Sequence, residues 1–525
     1  MATERFDRGW LLVLVLAALA VTANAQSFRV QCPTSTITHP VAANNNSEPA
    51  YSGPTTLTPG AHGYLTPAAN VNGAIKCQQI SGGDGYATMG DGTQTYMFSF
   101  GPLSGLADIS NGLPGTEFPS VFNTVYSGAT PLRPGDPATT IDSSGPNSFF
   151  YNGAVGQVPD LDVGGAIDGH VDPRQMMDVG VMNGNIPAPL MAIDEDDEFF
   201  LTLSNVGMIM RPDLFEQHTV HFHGYPNASA FYDGVPDASV AINIGGSFTY
   251  YYLAPDAGTY FWHCHITPPE HLQMGMVGQM YVRPRQNRVP VGNSLYAGLQ
   301  AQQNDPRTAS NCAADILCAS PLPPANSAAR AATGKYAYND GDGSTYYDVE
   351  YPIQIHGFDP NFHFVGMTFN PEGFADMKDK YFLLNGRSYP DTVTAGPLET
   401  QAADSVNHFS QPLPAIISIP AGKKALLRIS DLDVSEYQTL ASLGIPMNVI
   451  AINAKLLRDQ AGNNLNYNTN SITLAGGESI DVILDASDTA KYPSGSVFYL
   501  YTPNLDHLSN DAENFGGLMT EVRIN

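Results

Sequence analysis

The 525-residue chain has few charged residues, which make up 14% of it, and basic residues are the scarcer kind. Its 23 lysines and arginines stand against 50 aspartates and glutamates, which gives a formal net charge of −27. Proteins that bind nucleic acids neutralise phosphates with basic side chains, and anionic membrane surfaces repel acidic proteins. The charge balance therefore argues against nucleic acids and anionic membranes as partners, and it points to no partner by itself.

Long apolar runs are missing after the first 25 residues. Arg5 and Arg8 precede an apolar run over residues 10–21, and residues 23–25 (Ala-Asn-Ala) have the small side chains of a signal-peptide cleavage site. The run is short for a membrane span. Residues 1–25 are therefore predicted to be a signal peptide and the protein to be periplasmic or secreted, with an uncleaved anchor as the alternative.

Cysteine is scarce, and its count of five is odd. Cys312 and Cys318 flank a short loop and could form one disulfide bond, and Cys32 and Cys77 could form a second. Cys264 is then left over, and a single thiol in an oxidising compartment needs a reason to persist. A buried free cysteine is one interpretation, but the residues around Cys264 favour a metal ligand.

Glycine (50 residues), proline (40), tyrosine (26) and phenylalanine (24) are abundant, which is typical of a mostly β protein rich in turns. Residues 26–180 are predicted to be a loop-rich extension that includes the first strand or strands of domain 1, with one strand candidate at 95–100. Strand-like runs then fill residues 181–285 and 346–525, on either side of a linker at 286–345. The spacing predicts two β-sandwiches.

Histidine is unevenly distributed, because six of the thirteen histidines fall within one tenth of the chain. The six are His218, His221, His223, His263, His265 and His271. In a β-strand, alternate residues share a face. His221 and His223 therefore point to one side of their strand, and His263 and His265 point to the side opposite Cys264. Two such strands lying side by side would present four imidazoles on one face.

The other face would carry Cys264 together with His218, which lies three residues before the first His-x-His pair. His271 follows Cys264 by seven residues, and Met276 follows by five more. Two histidines, a thiolate and a weakly bound thioether are the ligands of blue (type 1) copper sites. A zinc site is the competing interpretation, but it does not need Met276 and leaves the four imidazoles unexplained.

The motifs around these residues closely resemble those of multicopper oxidases. They are Asn183-Gly-x-x-x-x-Pro, His218-x-x-His-x-His-Gly, Asp233-Gly-Val-Pro, Gly258-Thr-Tyr-Phe-Trp-His-Cys-His-Ile and His271-Leu-Gln-Met-Gly-Met. In the C-terminal half, Phe382-Leu-Leu-Asn-Gly-Arg and Leu474-Ala-Gly-Gly-Glu are similar to the copper-free middle domain of three-domain members. The resemblance covers roughly residues 180 to 525. It implies an all-β fold of two cupredoxin-like Greek-key β-sandwich domains, with the copper motif in the first domain only.

The resemblance also implies a role for each matching residue. Type 1 copper, which takes electrons from the reductant, would be bound by His218, Cys264, His271 and Met276. A second copper site of type 2/type 3, where oxygen is reduced, would be bound by His221, His223, His263 and His265. Asp233 lies where the family often has a catalytic carboxylate that relays protons, although a simple turn residue explains it equally well. The implied protein is an exported copper oxidoreductase whose reductant is a phenolic compound, a metal ion or a redox protein.

The chain departs from the family pattern in its inventory of histidines. A complete oxygen-reducing cluster in the family uses four His-x-His pairs, and this chain has two. The other seven histidines are outside such pairs: His39, His62, His170, His356, His363, His408 and His507. The type 1 motif also lies in the first domain, as in two-domain copper oxidases and copper nitrite reductases, which assemble as trimers.

Three alternatives therefore stand beside the oxygen-reducing enzyme. One is a nitrite-reductase-like copper enzyme, and another is a non-catalytic blue-copper protein that transfers electrons or binds copper. The third is an oxidase whose missing ligands come from another subunit, for example in a homotrimer. The sequence does not decide the number of copper ions per chain.

Overall fold

The computed structural model describes residues 30–123 and 182–525, apart from gaps at 61–62, 64, 225–228, 255, 304–319, 367–372, 402, 404–406, 512 and 515. Between 124 and 181 it describes the backbone of four short strands. The predicted signal peptide and the predicted Cys312–Cys318 bond lie outside these residues. No helix in the described part of the chain is long and apolar enough to cross a membrane.

In the part of the chain that the structure describes, fourteen strands lie in the first half. They are β1 (Thr56–Pro59), β2 (Leu65–Ala69), β3 (Ile75–Thr88), β4 (Gln94–Pro102), β5 (Thr139–Ile141), β6 (Phe149–Tyr151), β7 (Pro159–Leu161), β8 (Ile167–Val171), β9 (Met191–Asp194), β10 (Glu198–Gly207), β11 (His221–Phe222), β12 (Ser247–Leu253), β13 (Gly258–His263) and β14 (Val277–Arg283). The strand candidate at 95–100 lies within β4. The longer β3 was not predicted, because Gly82, Gly83 and Gly85 give it the composition of a loop.

Two four-stranded sheets form the first sandwich, with the strand orders β12-β10-β3-β4 and β11-β13-β14-β9. Alternate residues of the strands face the space between the sheets. Leu201 in β10, Tyr250 in β12 and Trp262 in β13 are examples, and each is fully buried in one core cluster. The neighbouring residue Phe261 points out of this core into a separate apolar cluster.

Eighteen strands follow in the second half. They are β15 (Lys335–Tyr336), β16 (Tyr346–Tyr347), β17 (Val349–Phe358), β18 (Tyr381–Leu384), β19 (Leu398–Gln401), β20 (Asn407–Gln411), β21 (Ile417–Ile419), β22 (Lys424–Asp431), β23 (Gln438–Leu443), β24 (Met447–Ile452), β25 (Lys455–Leu456), β26 (Tyr467–Thr469), β27 (Ser471–Leu474), β28 (Ser479–Asp485), β29 (Val497–Tyr501), β30 (Ser509–Asn510), β31 (Glu513–Asn514) and β32 (Met519–Ile524). A nine-stranded and a five-stranded sheet from this set form the second sandwich. Leu427, Ile429, Val482 and Leu500 lie in its buried core. The predicted all-β class with two sandwiches is confirmed.

Among the described residues, helices are few and short. They are α1 (Leu106–Ser110), α2 (Pro119–Phe122), α3 (Pro268–Gln273), α4 (Leu295–Gln302) and α5 (Pro360–Gly366). Of these, α3 lies between β13 and β14 of the first sandwich and carries His271. Because it contains only six residues, its position depends on tertiary contacts.

The two sandwiches pack against each other through a buried interface. Phe261 of the first and Phe358 of the second belong to one apolar cluster. Beside it, the Gln279 side chain donates hydrogen bonds to Arg428 O at 2.9 Å and to Ser430 Oγ at 2.8 Å. These buried bonds leave little freedom for one sandwich to move relative to the other.

Two further segments are fixed to the first sandwich. A disulfide bond joins Cys32 to Cys77 in β3, which confirms that predicted pair, and Cys264 is free and buried. Residues 286–345, predicted as a linker, contain α4 and begin at a buried anchor where Arg285 pairs with Asp196 at 2.7 Å. The domain boundaries themselves stay a prediction.

Candidate metal centre

The short β11–β13 pairing brings the two predicted motifs together. His221 lies directly opposite His263, and Phe222 lies opposite Trp262. Opposite residues point to the same side of a sheet and alternate residues to opposite sides. Phe222 and Trp262 accordingly lie in the core, together with Cys264, which follows Trp262 by two positions. The histidines lie on the other side.

On the core side, Cys264, His218 and His271 form a group that we call the thiolate cluster. Their ligand atoms all lie within 4.8 Å of one another, and all three residues are fully buried. His271 Nδ1 lies 3.2 Å from Cys264 Sγ, and the Thr219 N–H donates to the same sulfur at 3.4 Å. Within the described residues, neither ring nitrogen of His218 has a hydrogen bond of normal geometry. A bound metal would satisfy these buried polar atoms.

Met276 is held next to the thiolate cluster by its backbone. Its carbonyl accepts a hydrogen bond from the Cys264 N–H at 3.1 Å, and its own N–H donates to His271 O at 2.8 Å. The Met276 side chain is fully buried. Two imidazoles, a thiol and this thioether are the donor set that fits type 1 copper.

The charges in the thiolate cluster favour the deprotonated form of Cys264. Burial would raise the pKa of the Cys264 thiol, but His271 and His218 hold that pKa well below its usual value. Burial would lower the pKa of His271, but Cys264 and Glu216 raise it to about 9. The thiolate, which is the form that binds metals, is therefore stabilised. Glu216 Oε2 lies 3.5 Å from His271 Nε2, and no spacing signal in the sequence predicted this contact.

His218 also depends on a glycine that sequence analysis missed. A Cβ atom at Gly82 in β3 would lie 2.6 Å from Cδ2 of the His218 ring. The absence of a side chain at Gly82 therefore creates the space that the ring occupies. Gly82 is one of the glycines that made β3 resemble a loop in the sequence, and at this position the glycine is needed to make room for His218.

On the outer side of the paired strands β11 and β13, His221, His223, His263 and His265 form a second group, which we call the imidazole cluster. His223 Nε2 and His263 Nε2 are 2.9 Å apart. With His221, these ligand atoms lie within 4.8 Å of one another. The ring centroid of His265 lies 5.1 Å from that of His221 and 5.5 Å from that of His263. The structure thus brings together all four predicted imidazoles.

Backbone carbonyls fix the orientation of two of these rings. His221 Nδ1 lies 2.7 Å from Asp233 O, and His263 Nδ1 lies 2.6 Å from Cys264 O. A carbonyl oxygen only accepts hydrogen bonds, so in each ring Nδ1 carries the proton. The lone pair of Nε2 is then available to a metal, which is the usual arrangement of ligand histidines.

His223 is held by the second sandwich. It forms a hydrogen bond with the backbone of Gly477, where a Cβ atom would lie 2.8 Å from Cε1 and Nδ1 of the ring. Burial and the neighbouring His221 lower the pKa of His223 to about 4. Burial and His223 hold the pKa of His263 well below its usual value. Both rings are therefore neutral at neutral pH, as metal binding requires.

The two clusters are joined directly through the chain, because Cys264 is bonded to both His263 and His265. Thr219 adds a second connection. Its N–H donates to Cys264 Sγ, and its hydroxyl accepts a hydrogen bond from the His265 N–H at 3.0 Å. Thr219, like Glu216 and Gly82, was missed by sequence analysis.

Asp233 lies at the edge of the imidazole cluster. Its Oδ2 is 3.6 Å from His221 Nδ1, and its side chain is partly exposed. The next residue, Gly234, has a positive φ of 81°, and a Cβ atom there would lie 2.0 Å from Val220 O. Asp233 is therefore both part of a tight turn and a carboxylate beside the imidazoles.

The other histidines lie elsewhere. Within the described residues, no further group of metal ligands includes a histidine. His39, His356, His363, His408 and His507 are buried at other positions. The side chains of His62 and His170 are outside the described part of the chain.

A cleft of about 400 Å³ opens beside the imidazole cluster at His223. Phe261 and Pro268 of the first sandwich line one side, and Asp433 and Glu436 of the second sandwich line the other. The cleft is large enough for a small molecule, and two carboxyl groups give one of its walls an acidic character.

Comparison with known proteins relates this site to a known family. Residues 167–287, which contain both clusters, match the family model described as multicopper oxidase. Over this region, the chain is similar to multicopper oxidases. The resemblance drawn from the sequence is confirmed, and copper is confirmed as the cofactor at the level of the family.

Curated relatives match about a fifth of the chain. Laccase-1 of Emericella nidulans is 36% identical over 117 residues, which are 21% of this chain and 17% of the relative. The copper-containing nitrite reductase of Rhizobium meliloti is 34% identical over 119 residues, or 22% of this chain and 28% of the relative. The chain thus spans only a small part of the relatives that it matches.

Solved multicopper oxidases and nitrite reductases are also similar in structure. The blue copper oxidase from Nitrosomonas europaea has a TM-score of 0.43 and 20% identity, covering 65% of this chain and 78% of its own. The multicopper oxidase mgLAC has a TM-score of 0.47 and 15% identity, covering 86% of each chain.

Proposed function

We propose that this protein is an exported copper oxidoreductase of the multicopper oxidase type that passes single electrons from a reductant to oxygen. One observation carries the proposal: the thiolate and imidazole clusters lie on opposite sides of the paired strands β11 and β13 and are joined by residues 263–265. The thiolate cluster with Met276 would hold type 1 copper, and the imidazole cluster a second copper site. When bound, copper supplies the one-electron redox chemistry that protein side chains lack.

Electrons from the reductant would enter the thiolate cluster at His271. Glu216 is partly exposed and faces His271 Nε2, so this edge of the imidazole is the part of the cluster nearest to an approaching reductant. A phenolic compound, a metal ion or a redox protein could donate there. On the inner side, the Cys264 sulfur and the backbone to His263 and His265 give a short covalent path between the clusters.

Oxygen reduction also consumes protons, and Asp233 is placed to provide them. Its carboxylate lies beside His221 at the partly exposed edge of the imidazole cluster. A carboxylate in this position can take a proton from solvent and pass it towards the cluster. We assign Asp233 this catalytic role.

The cleft beside His223 supports oxygen rather than nitrite as the acceptor. Asp433 and Glu436 line it, and carboxylates repel an anion such as nitrite but not neutral dioxygen. A nitrite-reducing enzyme is the second candidate, because a nitrite reductase matches this chain over a similar length and at similar identity to the laccases. In either case a homotrimer or another protein could contribute further ligands.

Export is supported by the composition of residues 1–25 and by the Cys32–Cys77 bond, since disulfides persist in oxidising compartments. A periplasmic or secreted location follows from the proposal. The proposed domains are the copper-binding sandwich over 181–285 and the copper-free sandwich over 346–525.

The deciding experiment measures copper per chain, the electron paramagnetic resonance spectrum, the oligomeric mass and oxygen uptake with a phenolic or metal-ion reductant. About four copper ions with oxygen uptake would support the oxidase. Two copper ions with a type 2 signal in a trimer, together with nitrite reduction, would favour the second candidate. The Cys264→Ser variant is the control and should lose the type 1 signal. A single type 1 copper without oxygen uptake would refute the enzyme and leave an electron-transfer protein.

A further inference from the structure

The helix α3 that carries His271 cannot hold its own position. It has six residues, its preceding residue Thr267 has a positive φ of 36°, and no side chain caps its N-terminus. The last carbonyl groups of any helix lack partners within the helix and need them from outside. The location of His271 is therefore set by whatever binds the C-terminal end of α3.

Some of those partners are nearby backbone groups, such as the Gly275 N–H, which donates to Leu272 O at 3.0 Å, and others come from the second sandwich. His356 Nε2 lies 3.1 Å from Leu272 O, and His363 Nε2 lies 3.0 Å from Gln273 O. These are the carbonyl groups of the two residues that directly follow His271. Both histidines are fully buried, so water does not compete for the carbonyl groups.

The side chain of Gln273 adds two more bonds across the same interface. Its Nε2 donates to Asp379 Oδ1 at 2.9 Å, and its Oε1 accepts from the Asp359 N–H at 2.8 Å. Gln273 is completely buried. Three hydrogen bonds from the second sandwich thus converge on the last two residues of α3, beside the contact of His363 Nε2 with Gln273 O.

The two histidine rings are themselves held in place. The Gly357 N–H donates to His356 Nδ1 at 2.9 Å, so the proton of the neutral ring is on Nε2, where it is donated to Leu272 O. His363 Nδ1 faces Tyr96 O in β4 of the first sandwich. Phe358 packs against both rings, with centroid distances of 5.0 and 4.1 Å. Because both nitrogens of each ring have a partner, neither ring is available to a metal.

We propose that His356 and His363 are positioning residues of the type 1 site, holding α3 so that His271 and Met276 meet Cys264. This rests on the type 1 assignment made in the proposed function. It gives the copper-free second sandwich a role in the copper chemistry of the first. Metal sites require ligand placement within about 0.5 Å, so loss of one anchor is expected to change the site measurably.

Two substitutions at His356 separate positioning from simple stability. In His356→Gln the amide nitrogen can take the place of Nε2 and keep the bond to Leu272 O, whereas the shorter side chain in His356→Asn cannot reach it. In copper-loaded protein, we expect His356→Asn to shift the thiolate-to-copper absorption band and the reduction potential, and His356→Gln to stay near wild type. The control is His39→Asn, because His39 is equally buried but its ring partners are Glu198 and Asn72.

Metal-free protein gives an independent readout. Amide hydrogen exchange over residues 270–277 should be about tenfold faster in His356→Asn than in wild type, as expected for the loss of one buried hydrogen bond. An unchanged type 1 spectrum and unchanged exchange in His356→Asn would overturn the proposal, as would an equal shift in His39→Asn. Wild-type protein without any type 1 spectrum would instead overturn the proposed function, and with it this role.

Discussion

Replacing Gly82 by alanine is expected to disrupt the type 1 site while leaving the rest of the sandwich folded. The new Cβ would lie 2.6 Å from Cδ2 of His218, whereas ordinary contacts begin at 3.4 Å. The buried ring must therefore move by about 0.8 Å, which exceeds the roughly 0.5 Å that a metal site tolerates. Overpacking of this kind costs about 1–3 kcal/mol of stability, so we expect folded protein with a weakened type 1 signal.

The assay is the intensity of the thiolate-to-copper absorption per chain, measured with the thermal unfolding midpoint of the same sample. Gly83→Ala is the matched control. A Cβ there would lie 2.9 Å from Cγ2 of Val206, so it creates a similar clash away from His218. If Gly82→Ala keeps full colour, or if both variants lose it equally, then His218 is not positioned as argued.

Three further outcomes are expected. Met276→Leu should raise the reduction potential and retain the blue colour in copper-loaded protein, because an axial thioether binds weakly; complete loss of colour would contradict this. Burial would raise the pKa of Glu350, but two arginine side chains hold it at about 2. Its contribution to the free energy of unfolding, about 3 kcal/mol, should be present above pH 4.5 and lost as pH falls towards 2. Denaturation of wild type and Glu350→Gln across this range tests it, since the variant should lack this pH dependence. Peptide mapping under non-reducing conditions should find Cys312 bonded to Cys318, and mapping of both as free thiols would refute that pair.

Strand periodicity was enough to predict which ligands share a side. Alternation places Cys264 in the core and His263 and His265 on the outer face, and the structure has this arrangement because β11 pairs with β13 without a bulge. The disulfide pair at Cys32 was predictable from the odd count of cysteines. The sides of the ligands were predictable because these residues are neighbours in sequence. The disulfide pair was predictable because the chain has only five cysteines.

The long-range contacts of the site were not predictable in this way. Glu216 reaches His271 across 55 positions of sequence, and Gly82 contacts a ring more than a hundred residues away. Nothing in the sequence linked His356 and His363 to the site, because their partners are backbone carbonyls that no sequence motif marks. Such contacts depend on how the sheets and sandwiches pack against each other. The alternation of side chains along a strand does not predict that packing.

The alternation along β13 also limits how this protein can vary in length. Because side chains of a strand change sides at every residue, inserting or deleting one residue before Cys264 would move the sulfur to the outer face and a histidine into the core. Both metal clusters would be lost in a single event. Substitutions can adjust either cluster separately, but the strand segment from Gly258 to Cys264 should tolerate no change in residue number.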